Sequence, residues 1–417
     1  MFEKAGNSLE LFDLNKQENM RYFGSLNEEE WVGDLRSSYR YGDNNLIRMG
    51  ATYKDKSRTF RSTRFYYDVS RFNPEIEDIY QTSSFMGYDH IANGDISIIR
   101  DQQPKDQYDA GHSIYAGFID AEYYPTANFL VNIGVRYEYS HQWVNYATDG
   151  GEAKRNEVNC HDFFPAMNLK YTVNDANSLR FSFSRTVTRP SFIEMAPFLY
   201  QESYGAAMIR GNAELKNGYN YNIDLRYERF DLQNSNNMFS ITGYAKILED
   251  PIERTQTLSG GAAVHSFQNA DTGVAAGVEV EFRRELFRDF RVGANASYTN
   301  VQLPEGGAYT NAQRSLQGAS PYLVNADISY APKFKNDTQL TATLLYNLQG
   351  PRIHAVGISG LGDVKQEDLH TLDFVATYKL NDHWNFKLQM TDLLNQDIVF
   401  KQEVKDGRKL EEELPLN

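Results

Sequence analysis

The segment YNYNIDLRYERF (219–230) alternates without a break, setting Tyr219, Tyr221, Ile223, Leu225 and Tyr227 against Asn220, Asn222, Asp224, Arg226 and Glu228. Successive side chains of a strand point to opposite faces, so this segment has one aromatic, aliphatic face and one charged face. The pattern recurs in FLVNIGVRYEY (129–139), GVEVEF (277–282), YLVNADISY (322–330) and WNFKLQMT (384–391), with no convincing amphipathic helix between. The period predicts an all-β protein.

Connection lengths decide which all-β architecture this is. Short polar turns at 42–45, 124–128, 173–177, 232–237, 286–289, 334–337 and 380–383 alternate with long connections near 71–111, 140–161, 187–217, 250–272, 300–320 and 349–369. A Greek-key sandwich has no reason to keep that rhythm. An antiparallel up-and-down transmembrane β-barrel has one, since its short turns sit at the periplasmic rim and its long loops project outside. The spacing predicts about fourteen strands of about ten residues, the length of a tilted bilayer crossing. Tyr137, Tyr139, Tyr298, Tyr322, Tyr330, Tyr346 and Tyr378 fall near strand ends on the apolar faces, where an aromatic girdle belongs. The charged face then looks at a watery lumen and the apolar face at lipid. A soluble carbohydrate-binding β-sandwich with tyrosines at its core edges is the alternative.

Composition sharpens both readings. The mean hydropathy is −0.59, and no stretch approaches the roughly 18 apolar residues of a spanning helix. Tyrosine (28) and phenylalanine (25) are nonetheless abundant, as a half-polar barrel wall requires. A net charge of −14 argues against nucleic acid as a partner. Cys160 is the single cysteine, so no intrachain disulfide can form. The opening MFEKAGNSLEL has neither a basic n-region nor an apolar h-region. Either the chain is cytosolic or its natural N-terminus lies upstream.

Local motifs fit the barrel. SLRFSFSRTVTRPSFIEMAPFLY (178–200), followed by GNAELKNGYNYNIDLRYERF (211–230), resembles the barrel of TonB-dependent outer-membrane receptors of Bacteroidetes type. The matching pieces are Ser184-Arg185, Thr188-Arg189-Pro190-Ser191-Phe192, and Gly211-Asn212 with Glu214-Leu215-Lys216; the family commonly has Pro where Ala213 stands. NFKLQMTDLLNQDIV (385–399) resembles its penultimate strand, with Asp392-Leu393-Leu394-Asn395 as signature. The resemblance implies a barrel of about 22 strands, of which fourteen here correspond to strands 8 to 21. Residues 1–417 are then part of a receptor barrel, without the plug domain, the TonB-binding segment or the final strand. It implies a Gram-negative outer-membrane transporter for a scarce nutrient: an iron chelate, vitamin, glycan or peptide. Its partners would be outer-membrane lipid, TonB through the N-terminal region, and the ligand, with a surface lipoprotein as a further candidate. No enzymatic activity and no cofactor are implied. A passive porin, for which the chain would be complete, is the competing function.

Candidate site residues follow from the long connection 187–217, since structureless loops of that length usually carry function. Arg189, Phe198, Tyr200, Tyr204 and Arg210 are the expected ligand contacts there, although Arg189 reads as simply as a solvated rim charge before a ladder-ending proline. Cys160-His161-Asp162 alternate in direction and lack a second cluster, so no metal site is expected. His141, His265, His354 and His370 lie singly in different predicted loops and make a site only if those loops fold together. Glu279 and Glu281 share the lumen face about 7 Å apart, and read as solvated lumen charges rather than an acid–base pair. No phosphate loop, nucleophile elbow or zinc motif is present in the sequence.

Overall fold

The computed structural model describes residues 2–5, 8–11, 20–42, 44–68, 72, 80, 86–200, 207–234, 236–259, 262–287, 289–303, 314–332, 334, 338–358, 361–403 and 409–414. Fourteen strands form one sheet: β1 Met20–Tyr41, β2 Asn45–Asp68, β3 Gln107–Thr126, β4 Phe129–Ala147, β5 Ala153–Asn174, β6 Asn177–Thr188 and β7 Gly218–Phe230. The rest are β8 Met238–Glu249, β9 Gly273–Phe287, β10 Phe290–Gln302, β11 Tyr322–Tyr330, β12 Gln339–Gln349, β13 Leu369–Lys379 and β14 Asn385–Met390. Each pairs antiparallel with its neighbour in sequence, in strictly consecutive order, and a short strand, Ser97–Asp101, adds to β2. The meander, the even strand number and the seven short turns are those expected from the period. Gly42, at the first turn, takes φ 61°, a conformation that costs glycine nothing.

The two faces are sorted as the alternation demands. Ile223 (42% exposed) and Leu225 (58%) stand on the open outer face, whereas Glu228 (8%) is buried on the inner one. Leaving large apolar side chains outside while tucking a carboxylate inside would be upside-down in water; it suits a wall with lipid outside. The inner charges neutralise one another within and across strands. Arg226 Nε meets Glu228 Oε1 at 2.8 Å, Arg180 Nε meets Glu228 Oε2 at 2.8 Å, and Arg226 Nη2 reaches Glu281 Oε2 at 3.2 Å. On β1 and β2, Lys54, Lys56 and Arg58 pair with Glu28 and Glu30. Half-hydrated pairs of this kind contribute about 0–1 kcal/mol each. Their effect is to keep the wall polar without leaving a strong field of one sign. Glu281 is also held by Arg283, and Glu279 stands exposed on the same face.

Two expectations are corrected. The connection expected at 140–161 is strand almost throughout: β4 and β5 stay paired up to Ala147↔Ala153, leaving only 148–152 as the turn. Strands are accordingly longer than about ten residues, reaching 24 in β2. Polar and charged residues there continue the alternation above the apolar belt, so the period persists where the hydrophobicity that marks a membrane crossing has ended. Secondly, the connection 187–217, read as structureless, holds a short helix and two short strands, and 250–272 and 349–369 hold strands as well. All are described next.

Candidate functional site

Above the barrel, long connections and the chain after β14 assemble into a second sheet of eight short strands. Its order is Leu199–Tyr200, Met208–Arg210, Ala262–Asn269, Ile252–Ser259, Arg352–Gly357, Val364–Gln366, Ile398–Glu403 and Lys409–Leu414. Two joints are parallel: Met208↔Val264 and Thr255↔Val356 bring together segments from different loops. This canopy caps the extracellular end, where the long connections of an outer-membrane barrel lie.

The segments 189–200 and 207–217 turn inward beneath it. Ser191 caps the short helix Phe192–Met195 and Glu194 returns the bond to the Ser191 N–H, so the Thr-Arg-Pro-Ser-Phe motif is a capping box. Phe192, Met195, Phe198, Tyr200 and Ile209 then pack against Tyr108, Ala110 and Val144 on the inner face of β3 and β4. Gly211 fits because a Cβ there would lie 2.2 Å from the Ala196 carbonyl oxygen. Asn212 Nδ2 donates to the Phe267 carbonyl at 2.9 Å, fastening the loop to the canopy. The family-like motif is therefore a structural joint.

That geometry changes the roles expected of the loop residues. Phe198 (4% exposed) and Tyr200 (9%) are core residues, with rings 5.3 Å apart, and present no surface to a ligand in this conformation. Aromatic rings on a polar loop looked like contacts because nothing in the sequence shows the loop folding back onto β3. Arg189 Nη2 pairs with Glu138 Oε2 at 2.7 Å and is mostly buried, which replaces the solvated-rim reading. Arg210 is half-exposed and lies 3.5 Å from Asp149 in the β4–β5 turn. Tyr204 lies outside the described residues.

The canopy is stitched by buried polar groups. Glu253 is fully buried and accepts from Arg314 Nη1 at 2.7 Å and from the Gln317 backbone at 3.0 Å. Gln317 accepts from the Arg254 N–H at 2.6 Å and donates to the His354 carbonyl at 2.7 Å, riveting the segment before β11 to two canopy strands. His265 Nδ1 accepts from Arg254 Nε at 2.7 Å. Burial, with Arg254 and His354 nearby, pushes the His265 imidazole down to about 3. His265 and His354 do meet, with ring centroids 6.2 Å apart, whereas His141 stands near Glu157 and His370 between Asp368 and Tyr346. Among the described residues no three His, Cys, Asp or Glu side chains are grouped to hold a metal ion. In β5, Cys160 and Asp162 point inward while His161 stacks outside on Tyr139.

Between the canopy and the tips of β10 to β12 lies a cleft of about 890 Å³. Its lining includes Arg314, Arg352, Lys365 and Lys401, faced by Glu367 and Glu403. Lys401 Nζ stands 3.8 Å from Glu367, and Arg352 Nε donates to Gln366 Oε1 at 2.9 Å. Converging charges of both signs in a part-enclosed space suit binding of a polar molecule by charge-assisted hydrogen bonds. These residues carry no motif and come from three separate segments, the β10–β11 connection, the β12–β13 connection and the chain after β14, so no local pattern marks them.

The sequence profile of the outer membrane protein beta-barrel family matches residues 78–413. The chain belongs to that family. Its place is the outer membrane, and its fold is that of an antiparallel outer-membrane barrel. A search of curated protein sequences gives no match. Among solved structures, it is similar to the ferric yersiniabactin uptake receptor FyuA from Yersinia pestis, with TM-score 0.62 and 11% identity over 97% of this chain and 56% of that one. The siderophore receptor PiuA from Acinetobacter baumannii gives 0.61 and 10%, over 95% and 56%. The copper transporter OprC gives 0.62 and 13%, over 90% and 52%. The chain thus spans about half the length of these receptors and transporters, and at such identity the likeness is one of fold.

Proposed function

We propose that this chain is barrel wall and loop canopy of a TonB-dependent outer-membrane receptor that imports a scarce nutrient, with plug and remaining strands supplied outside residues 1–417. The observation that carries this reading is the canopy. Loops welded into one sheet over the mouth, with a charged cleft beneath, present a built binding surface; a diffusion pore works best with its mouth open. The fold shared with uptake receptors for iron chelates and a copper transporter supports the same view. The ligand enters the cleft by polar contacts with Arg352, Lys365 and Lys401, and the barrel supplies the wall and performs no chemistry. Energy comes from the inner membrane through TonB, because a plugged lumen does not clear by thermal motion.

The test is uptake by cells carrying the full-length gene, with and without TonB and with the proton gradient collapsed. Uptake should stop in both cases. Uptake untouched by either treatment would favour the passive channel.

A further inference from the structure

The barrel wall is interrupted at one joint. β5 and β6 are paired from Asn174↔Asn177 up to Ala166↔Ser184, whereas β4–β5 pairing runs on to Ala147↔Ala153 and β6–β7 pairing to Thr188↔Gly218. Carried one step further, the register sets Pro165 opposite Arg185. Proline has no N–H to give, and the loss falls on the β6 side. The Phe163 carbonyl accepts from Arg185 Nη1 at 2.9 Å and so faces β6, and backbone groups two residues along a strand face the same way. In a continued ladder that carbonyl would receive the Val187 N–H; the Arg185 side chain takes its place. From His161, stacked on Tyr139 in the upper aromatic row, down to Ala166 is about 13 Å at ordinary strand rise and tilt. The seam therefore starts inside the apolar band, where unpaired backbone finds no water.

One side chain closes this seam. Arg185 belongs to the outward row, opposite Tyr221, yet its guanidinium reaches between the strands to the inward-facing Asp162, with Nη2 and Oδ1 3.5 Å apart. The Tyr219 ring covers it at 4.2 Å, with Phe164 at 5.6 Å and Tyr221 at 5.9 Å. One step higher, Asn217 Nδ2 meets Cys160 Sγ at 3.2 Å. The closure leaves hydrogen bonds unmade: Arg185 Nε and Asn217 Oδ1 are buried with no partner among the described residues. A wall built to stay shut would satisfy such groups. A ladder parts only by losing many backbone bonds together, whereas this seam parts when Arg185 swings aside. Its outer lip is apolar, with Phe163 61% exposed, and the groups behind it are polar. We infer that the β5–β6 seam is a lateral gate latched by Arg185, through which the polar head of an outer-leaflet amphiphile reaches Asp162 and Asn217 while its tail stays in lipid. The gate is separate from the canopy cleft and does not rest on the transport reading.

Cys160, behind the latch, reports on it. The full-length protein is placed in phosphatidylcholine vesicles containing phosphatidylethanolamine with a maleimide headgroup, and adducts on the Cys160 peptide are measured by mass spectrometry over time. The unmodified protein should label slowly. Arg185→Ala should label at least about tenfold faster, as an opening equilibrium shifted by about 1.4 kcal/mol requires. Pro165→Val returns the missing N–H and lets the ladder run on, and should label more slowly than the unmodified protein. Arg283→Ala, a wall charge away from the seam, should keep the unmodified rate. Circular dichroism of each variant shows that the strands persist. Equal rates in Arg185→Ala, Pro165→Val and the unmodified protein overturn the inference, as does a lack of adduct in both Arg185→Ala and the unmodified protein. Where Arg185→Ala does not assemble, Pro165→Val decides alone, and an unchanged rate there overturns the gate. Faster labelling of Arg185→Ala by a membrane-impermeant maleimide in the water than by the lipid probe also overturns it, since Cys160 would then be reached from the lumen.

Discussion

Replacing Arg314 with leucine tests whether the canopy is held by its buried polar stitching. Glu253 has no solvent exposure and Arg314 almost none. The carboxylate accepts two guanidinium nitrogens and one backbone N–H. Arg314→Leu leaves a buried anion with the backbone donor alone. Breaking a buried pair by removing one partner costs about 3–5 kcal/mol, because the remaining charge is uncompensated. Removing both charges, in Glu253→Leu/Arg314→Leu, should cost far less, since an apolar pair of similar bulk often replaces a buried ion pair at little loss.

Hydrogen exchange reads this directly. Amides of Ile252–Ser259 and Arg352–Gly357 that exchange by local opening should speed up by about a hundred to a few thousand fold in the single variant, at 1.4 kcal/mol per tenfold. Amides of β3 and β4 should not change, because the barrel ladder does not use the pair. In the double variant most of the protection should return. Unchanged canopy exchange in Arg314→Leu, or a double variant as exposed as the single, would refute the argument that the pair fastens the canopy.

Three further outcomes are expected. Ile223→Arg, on the outer face of β7, should destabilise the barrel in lipid vesicles by about 2–4 kcal/mol near the midplane, whereas Asn222→Arg on the inner face stays within about 0.5 kcal/mol; equal urea midpoints would invert the face assignment. Phe198→Ala removes a core ring, at about 3–5 kcal/mol for the loop, and should expose 189–217 to protease nicking; an intact loop would return Phe198 to the surface. His265 is held neutral by burial, so the opened canopy binds a proton that the closed one refuses. Canopy stability should be complete above the ordinary histidine range and fall as pH drops from about 6.5 toward 3, by up to about 4 kcal/mol. His265→Asn should flatten that slope in exchange experiments corrected for intrinsic rate.

The barrel was legible because its information is local. In YNYNIDLRYERF the face of every residue follows from the residue beside it, and the paired register Tyr219↔Glu249 through Phe230↔Met238 adds only what a short turn already dictates. The same logic misplaced 140–161: where both faces become polar, alternation carries no hydrophobic contrast, and a continuing hairpin looks like a loop. The sequence Asp392-Leu393-Leu394-Asn395 shows the other limit. Its physical content is a turn with Asp392 at φ 52° and Asn395 at φ 48°, a left-handed conformation that Asp and Asn tolerate better than most residues.

The canopy was illegible for a reason that also explains its chemistry. A domain core is normally announced by apolar residues, but here Glu253, Thr255, Gln256, His265 and Gln366 are buried beside Ile209, Ile353, Ala355 and Val356, and each of the polar ones reads as solvent-facing in isolation. Their partners lie far along the chain: Gln402 Nε2 reaches Gln256 Oε1 at 2.8 Å across 146 residues, and the parallel joints link loops that share no local pattern. Such a sheet is not assembled by local preference or by apolar burial alone. It forms because the barrel holds the loop ends at fixed positions, which lowers the entropy of closing each contact. Buried hydrogen bonds then hold it in one arrangement, since leaving any of them unmade is costly. Polar stitching of that kind also leaves Arg352, Lys365 and Lys401 on a scaffold that a ligand can approach without first displacing a hydrophobic lid. The feature that hid the canopy from a sequence reading is thus the one that suits it to receive a polar ligand.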